Sequence, residues 1–364
     1  MNIICDGLEL SDALLKVSKA ISNKVTNPIL EGIKLSAEES ILTLSATDTE
    51  LSIEKKIKAE VKEEGETVVP GKFITEFVKK LTNEKIELKV SESNKMTLSY
   101  TDSESSIQCY NSNEYPSFKK LETSDFFGIS KKDFKTIVNK TIFAVALDDS
   151  RPILKGVLFD IDKNHLSALA LDGYRLAKVK KTINSDIKKS IVIPAKSLSE
   201  MVKLIDDGDE VINIYIEKSY IMVDFGDTKV ISRLIEGEPM NYSNIIAANY
   251  ETIIVVKKSH LEEALERASL LSKVNNNFVK FDIKENVLQL TSNSEIGNVK
   301  ENVSITLKGK DLTIAFNARY FIESLRVNTN EFVKICFNKA TMPGVIVPIE
   351  EDEFLYLILP VRMI

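Results

Sequence analysis

The sequence predicts an α+β chain made of three tandem copies of one domain. Residues 27–54 and 151–180 share a strand-turn-strand pattern at a spacing of 124, in which Pro28-Ile29-Leu30 matches Pro152-Ile153-Leu154, Gly32 matches Gly156, and Thr47-Asp48 falls on Leu171-Asp172. A weaker third copy begins near Phe278, where the run FVKFDIKENVLQLTSN keeps the alternation and the final turn. Runs of alternating apolar residues, the mark of half-buried strands, are interleaved with stretches of helical period. A chain of 364 residues holds three such units, each large enough to bury its own core. The implied domains are 1–120, 121–246 and 247–364.

Each copy then reads as helix, strands, helix, strands. A first helix over 8–22 places Leu10, Ala13, Leu14, Val17 and Ile21 on one face, with Ser11 or Asp12 near its N-cap. After the repeated strands, 68–81 predicts a second helix opened by Pro70, with Phe73, Phe77, Val78 and Leu81 inward. Strand-like runs and a polar connector, 111–118, close the first copy. The second copy has helices over 130–146 and 191–205, and a connector over 235–246. In the third, helices cover 257–272 and 316–327 before two final strands. Repetition on this scale means tandem domains and not a short-period solenoid.

Composition narrows the function. Net charge is −6, from 48 basic and 54 acidic residues, which argues against a nucleic-acid partner unless the cations gather on one face. Cys5, Cys109 and Cys336 are scattered and odd in number, so neither a disulfide framework nor a zinc cluster is indicated. No apolar run approaches a membrane span, and the first ten residues lack the sections of a signal peptide, which points to a cytoplasmic protein.

No enzyme signature is present: there is no Gly-rich phosphate loop, GxSxG elbow, HExxH or CxxC. His165 sits in a turn, and the pairs Asp148-Asp149 and Asp206-Asp207 lie at helix ends or loops. The chain is expected to be non-catalytic and to use no metal or cofactor. Asp172-Gly173, on spacing alone, is a plain turn.

The second helix of each copy carries a pair of cations seven residues apart: Lys72 and Lys79, Lys196 and Lys203, Arg319 and Arg326. Seven residues return to nearly the same side of a helix. These stripes are either ordinary solvated faces, with Glu76, Glu200 and Glu323 as neighbours for ion pairs, or one recurring surface for an anionic partner.

Three tandem units, the segments NPIL and RPIL, the run LDGYRLA and the ending LPVRMI together resemble the bacterial sliding clamp, the beta subunit of DNA polymerase III, over the whole chain. The resemblance implies a head-to-tail homodimer closing into a pseudo-sixfold ring, with helices lining the hole and antiparallel sheets outside. It implies a processivity factor that encircles double-stranded DNA without reading sequence. Partners would be the polymerase III alpha subunit, the clamp loader and other clamp-binding proteins, through short peptide motifs. Their pocket would be formed by Leu154, Leu171, Gly173, Tyr174, Arg175 and Leu176, with Met240 and Ile245 from the connector and Leu359, Pro360, Val361, Arg362 and Met363 from the tail. Family members often carry Thr where Leu171 stands and Pro where Met240 stands, and the tail runs one residue further, to Ile364. Lys24 and Lys196 match positions near DNA, beside the other stripe cations, and Ile107, Leu270 and Leu271 match the subunit contact. The alternative is a repeat-built protein-binding scaffold that never encircles DNA.

Overall fold

The structure, a computed structural model, describes residues 1–21, 27–81, 85–119, 121, 125–148, 150–238, 249–272, 278–349 and 353–362. The first repeat runs β1 (Asn2–Asp6), α1 (Gly7–Val17), β2 (Gly32–Glu38), β3 (Ile41–Thr47), β4 (Leu51–Lys58), β5 (Glu60–Glu63), β6 (Gly65–Pro70), α2 (Gly71–Val78), β7 (Lys85–Val90), β8 (Lys95–Tyr100) and β9 (Ser103–Gln108). The second runs β10 (Phe126–Ser130), α3 (Lys131–Thr141), β11 (Gly156–Asp162), β12 (His165–Leu171), β13 (Arg175–Thr182), β14 (Lys188–Pro194), α4 (Ala195–Leu204), β15 (Val211–Glu217), β16 (Tyr220–Asp224) and β17 (Thr228–Arg233). The third runs β18 (Thr252–Lys257), α5 (Lys258–Ser272), β19 (Phe278–Lys284), β20 (Val287–Ser294), β21 (Gly297–Gly309), β22 (Leu312–Asn317), α6 (Ala318–Arg326), β23 (Phe332–Phe337), β24 (Gly344–Val347) and β25 (Phe354–Ile358).

Each repeat opens with a strand that the sequence reading leaves out: β1, β10 and β18. Five or six residues hold too few alternations to stand out beside a helix that begins at once. The junction is visible at Asp6, whose carboxylate accepts from the backbone N–H of Leu8 at 2.9 Å and of Glu9 at 3.0 Å. Asp6 is therefore the cap of α1, in place of Ser11 or Asp12, and the helix starts at Gly7, one residue before the stretch read as helical.

The second helix is also phased differently. Val68–Pro70 belong to β6, and α2 buries Ile74, Thr75 and Val78 while Phe73 stays 52% exposed. Gly71 fixes that phase: a Cβ there would lie 2.4 Å from Ile21 Cδ1 and 2.8 Å from the Glu31 carbonyl oxygen. The start of the helix sits flush against its neighbours, and the inward face turns by about one residue.

The chain divides into two compact units, residues 1–131 with 200–234, and residues 132–199 with 235–364. The first holds a five-stranded sheet, β5-β1-β7-β8-β9, and an eight-stranded sheet, β10-β15-β16-β17-β4-β3-β2-β6. The second holds twelve strands, β14-β11-β12-β13-β25-β24-β23-β18-β21-β20-β19-β22. The units cut through the middle repeat because strand pairing crosses the repeat boundaries. β17 pairs antiparallel with β4, Val230 opposite Ile53, and β25 pairs antiparallel with β13, Tyr356 opposite Ala177. In the second unit Phe281, Phe316, Phe321 and Phe337 make ring contacts of 4.9–6.0 Å in a buried core. Each such side chain stabilises the fold by about 1.5–3 kcal/mol.

Among the strand edges that stay open, two lie at corresponding places in the first and third repeats. β9 ends the five-stranded sheet with β8 as its partner. Residues 297–304 of β21 pair with β20 on one side, and β18 joins β21 only from Ile305 onward. No helix among the described residues is long and apolar enough to cross a membrane.

Candidate peptide pocket and DNA-facing helices

The turn between β12 and β13 is built by one side chain. Asp172 accepts from the backbone N–H of Tyr174 at 2.9 Å and of Arg175 at 3.0 Å, closing a tight loop on itself. Gly173 takes φ +93°, a region other residues enter at a cost, and no atom lies near enough to obstruct it. The loop holds Tyr174 64% exposed at its tip. The tail lies alongside: Leu359 N–H donates to the Tyr174 carbonyl at 2.9 Å and Val361 N–H to the Ala315 carbonyl at 2.8 Å. The motif LDGYRLA and the ending LPVR are thus brought together.

Beneath the turn lies a small apolar cleft. Ile153, Leu154, Gly156, Leu158, Leu169, Leu171 and Val192 line it, and Leu176 and Leu357 pack into the same buried cluster. Leu154 and Leu171 line it and Leu176 is buried in the same cluster, whereas Leu359 and Arg362 are exposed. Met240, Ile245 and Met363 lie outside the described residues.

Arg175 plays a different part from the one its sequence neighbours suggest. It is 6% exposed, and its guanidinium is fully engaged. Nε donates to Asp172 Oδ2 at 2.9 Å, Nη2 to the Phe143 carbonyl at 2.6 Å, and Nη1 pairs with Glu323 of α6. The guanidinium also lies 4.6 Å from the centre of the Tyr320 ring, which stacks on Tyr174 at 6.4 Å. Burial would push the Glu323 carboxyl up, but Arg175 and Arg319 outweigh it and hold the group below the usual carboxylate range. Arg175 therefore braces the turn against α6. From the sequence Glu323 is only an ion-pair neighbour of the stripe on its own helix, and Tyr320 carries no signal; their place in this brace, 145 positions or more from Arg175, has no spacing to announce it.

The cationic stripes are exposed on α2, α4 and α6 as expected, but their charges are not equivalent. Lys72 and Lys79 carry no ion pair among the described residues. Lys203 Nζ reaches Glu200 at 2.6 Å, and Lys196 is exposed. On α6, Arg319 pairs with Glu323 at 2.6 Å, and Arg326 with Glu266 at 2.6 Å and Glu262 at 3.5 Å. The third stripe is largely neutralised from within. In the first unit the cations are reinforced: Lys19 Nζ donates to the Lys203 carbonyl at 3.4 Å. Burial, above all, pushes the Lys19 pKa down, with Lys203 and Lys16 adding to it against the opposing pull of Glu200 and Asp12. Lys24 lies outside the described residues.

Of the three residues matched to a subunit contact, Leu270 is 65% exposed on α5 and Leu271 is half-buried. Ile107 is 7% exposed and faces its own sheet, so its side chain has little area left to offer a second chain. The exposed apolar surface beside it comes instead from Phe73 and Tyr110, which line a cleft with Ile21 and Lys72. The sequence reading turns Phe73 inward and so misses this patch.

Three tandem copies of a helix-and-sheet domain, with cationic second helices and antiparallel sheets joined end to end, define the architecture of a DNA clamp. Family models for the DNA polymerase III beta subunit match all three parts: the N-terminal domain at residues 1–119, the central domain at 128–239 and the C-terminal domain at 243–362. The beta sliding clamps of Staphylococcus epidermidis and Staphylococcus aureus are each 33% identical over 97% of this chain and 96% of theirs. Among solved structures, the DNA polymerase sliding clamp from Bacillus subtilis matches with a TM-score of 0.97 at 29% identity, and a putative DNA polymerase III beta subunit from Eubacterium rectale with 0.96 at 32%, all chains covered in full. The chain belongs to the DNA polymerase III beta subunit family, the beta sliding clamps. A DNA sliding clamp is the function this supports, and a protein-binding scaffold that does not encircle DNA is not favoured.

Proposed function

We propose that two chains join head to tail into a closed ring around duplex DNA, and that the ring tethers the replicative polymerase as a non-catalytic processivity factor of the cytoplasm. The observation that carries the ring is the pair of unused strand edges. Inside the chain, each repeat passes to the next through one antiparallel strand pair, β17 on β4 and then β25 on β13. The strands in the corresponding places at the two chain ends are β9 and the first part of β21. Each still has a free edge, and an open edge of that length invites a partner strand. A second copy supplies both missing partners, and a head-to-tail contact closes at two chains when each spans half a turn. Domains 1–120, 121–246 and 247–364 would repeat twice around the ring, with Lys72, Lys79, Lys196 and Lys203 turned to the phosphates. Retention by topology lets those contacts stay weak and independent of sequence.

The cleft by Tyr174 would take a short extended peptide whose Leu or Phe side chain parts Leu154 and Leu171, since the cleft is nearly closed without a guest. Apolar walls with a polar rim are the usual make-up of such a site. Peptides of the polymerase III alpha subunit, the clamp loader and other clamp-binding proteins would compete for it.

Strand register makes the test. Val230 faces Ile53 and Tyr356 faces Ala177, so the corresponding residues are Ser105 in β9 and Val299 in β21. A double variant, Ser105→Cys with Val299→Cys, should form disulfides between chains on mild oxidation. Rings closed this way on nicked circular DNA should survive high salt and leave when the circle is cut. Absence of interchain disulfide, or equal retention on linear DNA, refutes the ring.

A further inference from the structure

We propose that the first repeat carries its own copy of the pocket, that this copy is filled by Tyr115 from the connector, and that it is built for a phenolic side chain. The repeat spacing of 124 carries the residues of the second-repeat cleft onto positions in the first. Ile153, Leu154, Gly156, Leu171 and Val192 become Ile29, Leu30, Gly32, Thr47 and Val68. All five meet Tyr115. Ile29, Leu30 and Val68 form one buried cluster with its ring. Its hydroxyl accepts from the Thr47 N–H at 3.2 Å and donates to the Gly32 carbonyl at 3.2 Å.

The connector is shaped to deliver that side chain. Tyr110 N–H bonds the Val68 carbonyl at 2.8 Å, a 3-10 turn follows over Ser112–Glu114, and Tyr115 N–H closes it onto Ser112 at 3.1 Å. Both repeats also need a glycine at the mouth, since a Cβ on Gly32 or Gly156 would come within 2.6 Å of the valine opposite. The two clefts are thus one construction used twice.

Their chemistry differs at two positions. Where the second repeat has Leu158 and Leu169, the first has Lys34 and Ser45, and Lys34 pairs with Glu66 at 2.6 Å. A purely apolar guest would leave the Thr47 N–H and the Gly32 carbonyl without partners, whereas a phenol satisfies both. Burial pushes the Tyr115 hydroxyl up to about 12, against the Thr47 hydrogen bond, so it stays protonated and able to donate. The first-repeat cleft is therefore kept closed by a guest from its own chain. None of this depends on whether the second-repeat cleft takes a peptide.

The test uses the full-length protein with Tyr115→Gly and p-cresol or toluene as probes. p-Cresol should raise the melting temperature of the variant, with toluene raising it less, and neither should shift the parent protein. No shift of a folded variant by p-cresol, an equal shift in the parent, or toluene matching p-cresol overturns the proposal. If the glycine variant does not fold, Tyr115→Phe decides. It keeps the ring and loses the hydroxyl, and amide exchange at Thr47 should speed up about tenfold, the effect of one lost hydrogen bond. Unchanged exchange there overturns the proposal.

Discussion

Arg175 shows how a residue can belong to a site without touching what binds there. By its neighbours in sequence it is a polar anchor for a partner, and its replacement by Ala would weaken peptide binding only mildly. In the fold it is enclosed by Asp172, Glu323, the Phe143 carbonyl and the Tyr320 ring. Arg175→Ala would take one cation from two partly buried carboxylates, which keep Arg319 and the backbone N–H groups of the turn as partners, at a cost of about 2 kcal/mol. Urea unfolding should record that loss in the absence of any peptide, and Arg175→Lys should not restore it, because a single ammonium cannot span the fork. The pH dependence follows from Glu323. Its carboxyl is held below the ordinary range, so its contribution is present above that range and is lost as pH falls through the lowered value. In the Arg175→Ala protein this acid-dependent loss should be smaller, which unfolding at several pH values would measure.

At the scale of the element, helices and strands were legible wherever one period ran long enough. The stretches read as helices contain α2 to α6 and all of α1 but Gly7, and the β11–β13 meander follows the alternation of 151–180. Legibility failed for two physical reasons. The opening strands β1, β10 and β18 are too short to show a period, and the phase of α2 is set by a close backbone approach at Gly71, which periodicity does not encode. The pocket was half legible: local motifs gave the turn and the tail, while Glu323, Tyr320 and Tyr115 enter through distant packing. The stripes were legible as charge but not as net charge. Lys72→Ala with Lys79→Ala should therefore reduce the salt slope of direct DNA binding by about two. Arg326→Gln should change it by much less, since Glu262 and Glu266 already neutralise that side chain. Fluorescence anisotropy across a salt series separates the two; equal effects would remove the distinction between stripes.

For the whole molecule, the proposed ring needs apolar area that the isolated chain leaves uncovered. In that proposal Leu270, 65% exposed, would supply it without supporting the fold, whereas Leu271, half-buried, would serve both. Leu270→Asp should leave a folded protein at the 40.8 kDa of one chain in mass photometry, with its melting curve little changed in shape. Leu271→Ala should lower the melting temperature of the separated chain as well. A dimer that persists in Leu270→Asp at nanomolar concentration would move the contact elsewhere.

The pairing of β25 with β13 also bears on how the chain is made. Lys181 and Glu353, joined at 3.0 Å across that seam, are 172 positions apart, and so are Lys55 and Asp227, joined at 2.5 Å where β17 meets β4. On the ribosome each acceptor strand emerges long before the strand that covers it, a wait of roughly 10–35 seconds at ordinary elongation rates. During that interval β4 and β13 are bare sheet edges on a nascent chain. Both are rich in lysine, with Lys55, Lys56 and Lys58 on one and Lys178, Lys180 and Lys181 on the other. Such charges repel a wrong neighbour while the right one is still being synthesised.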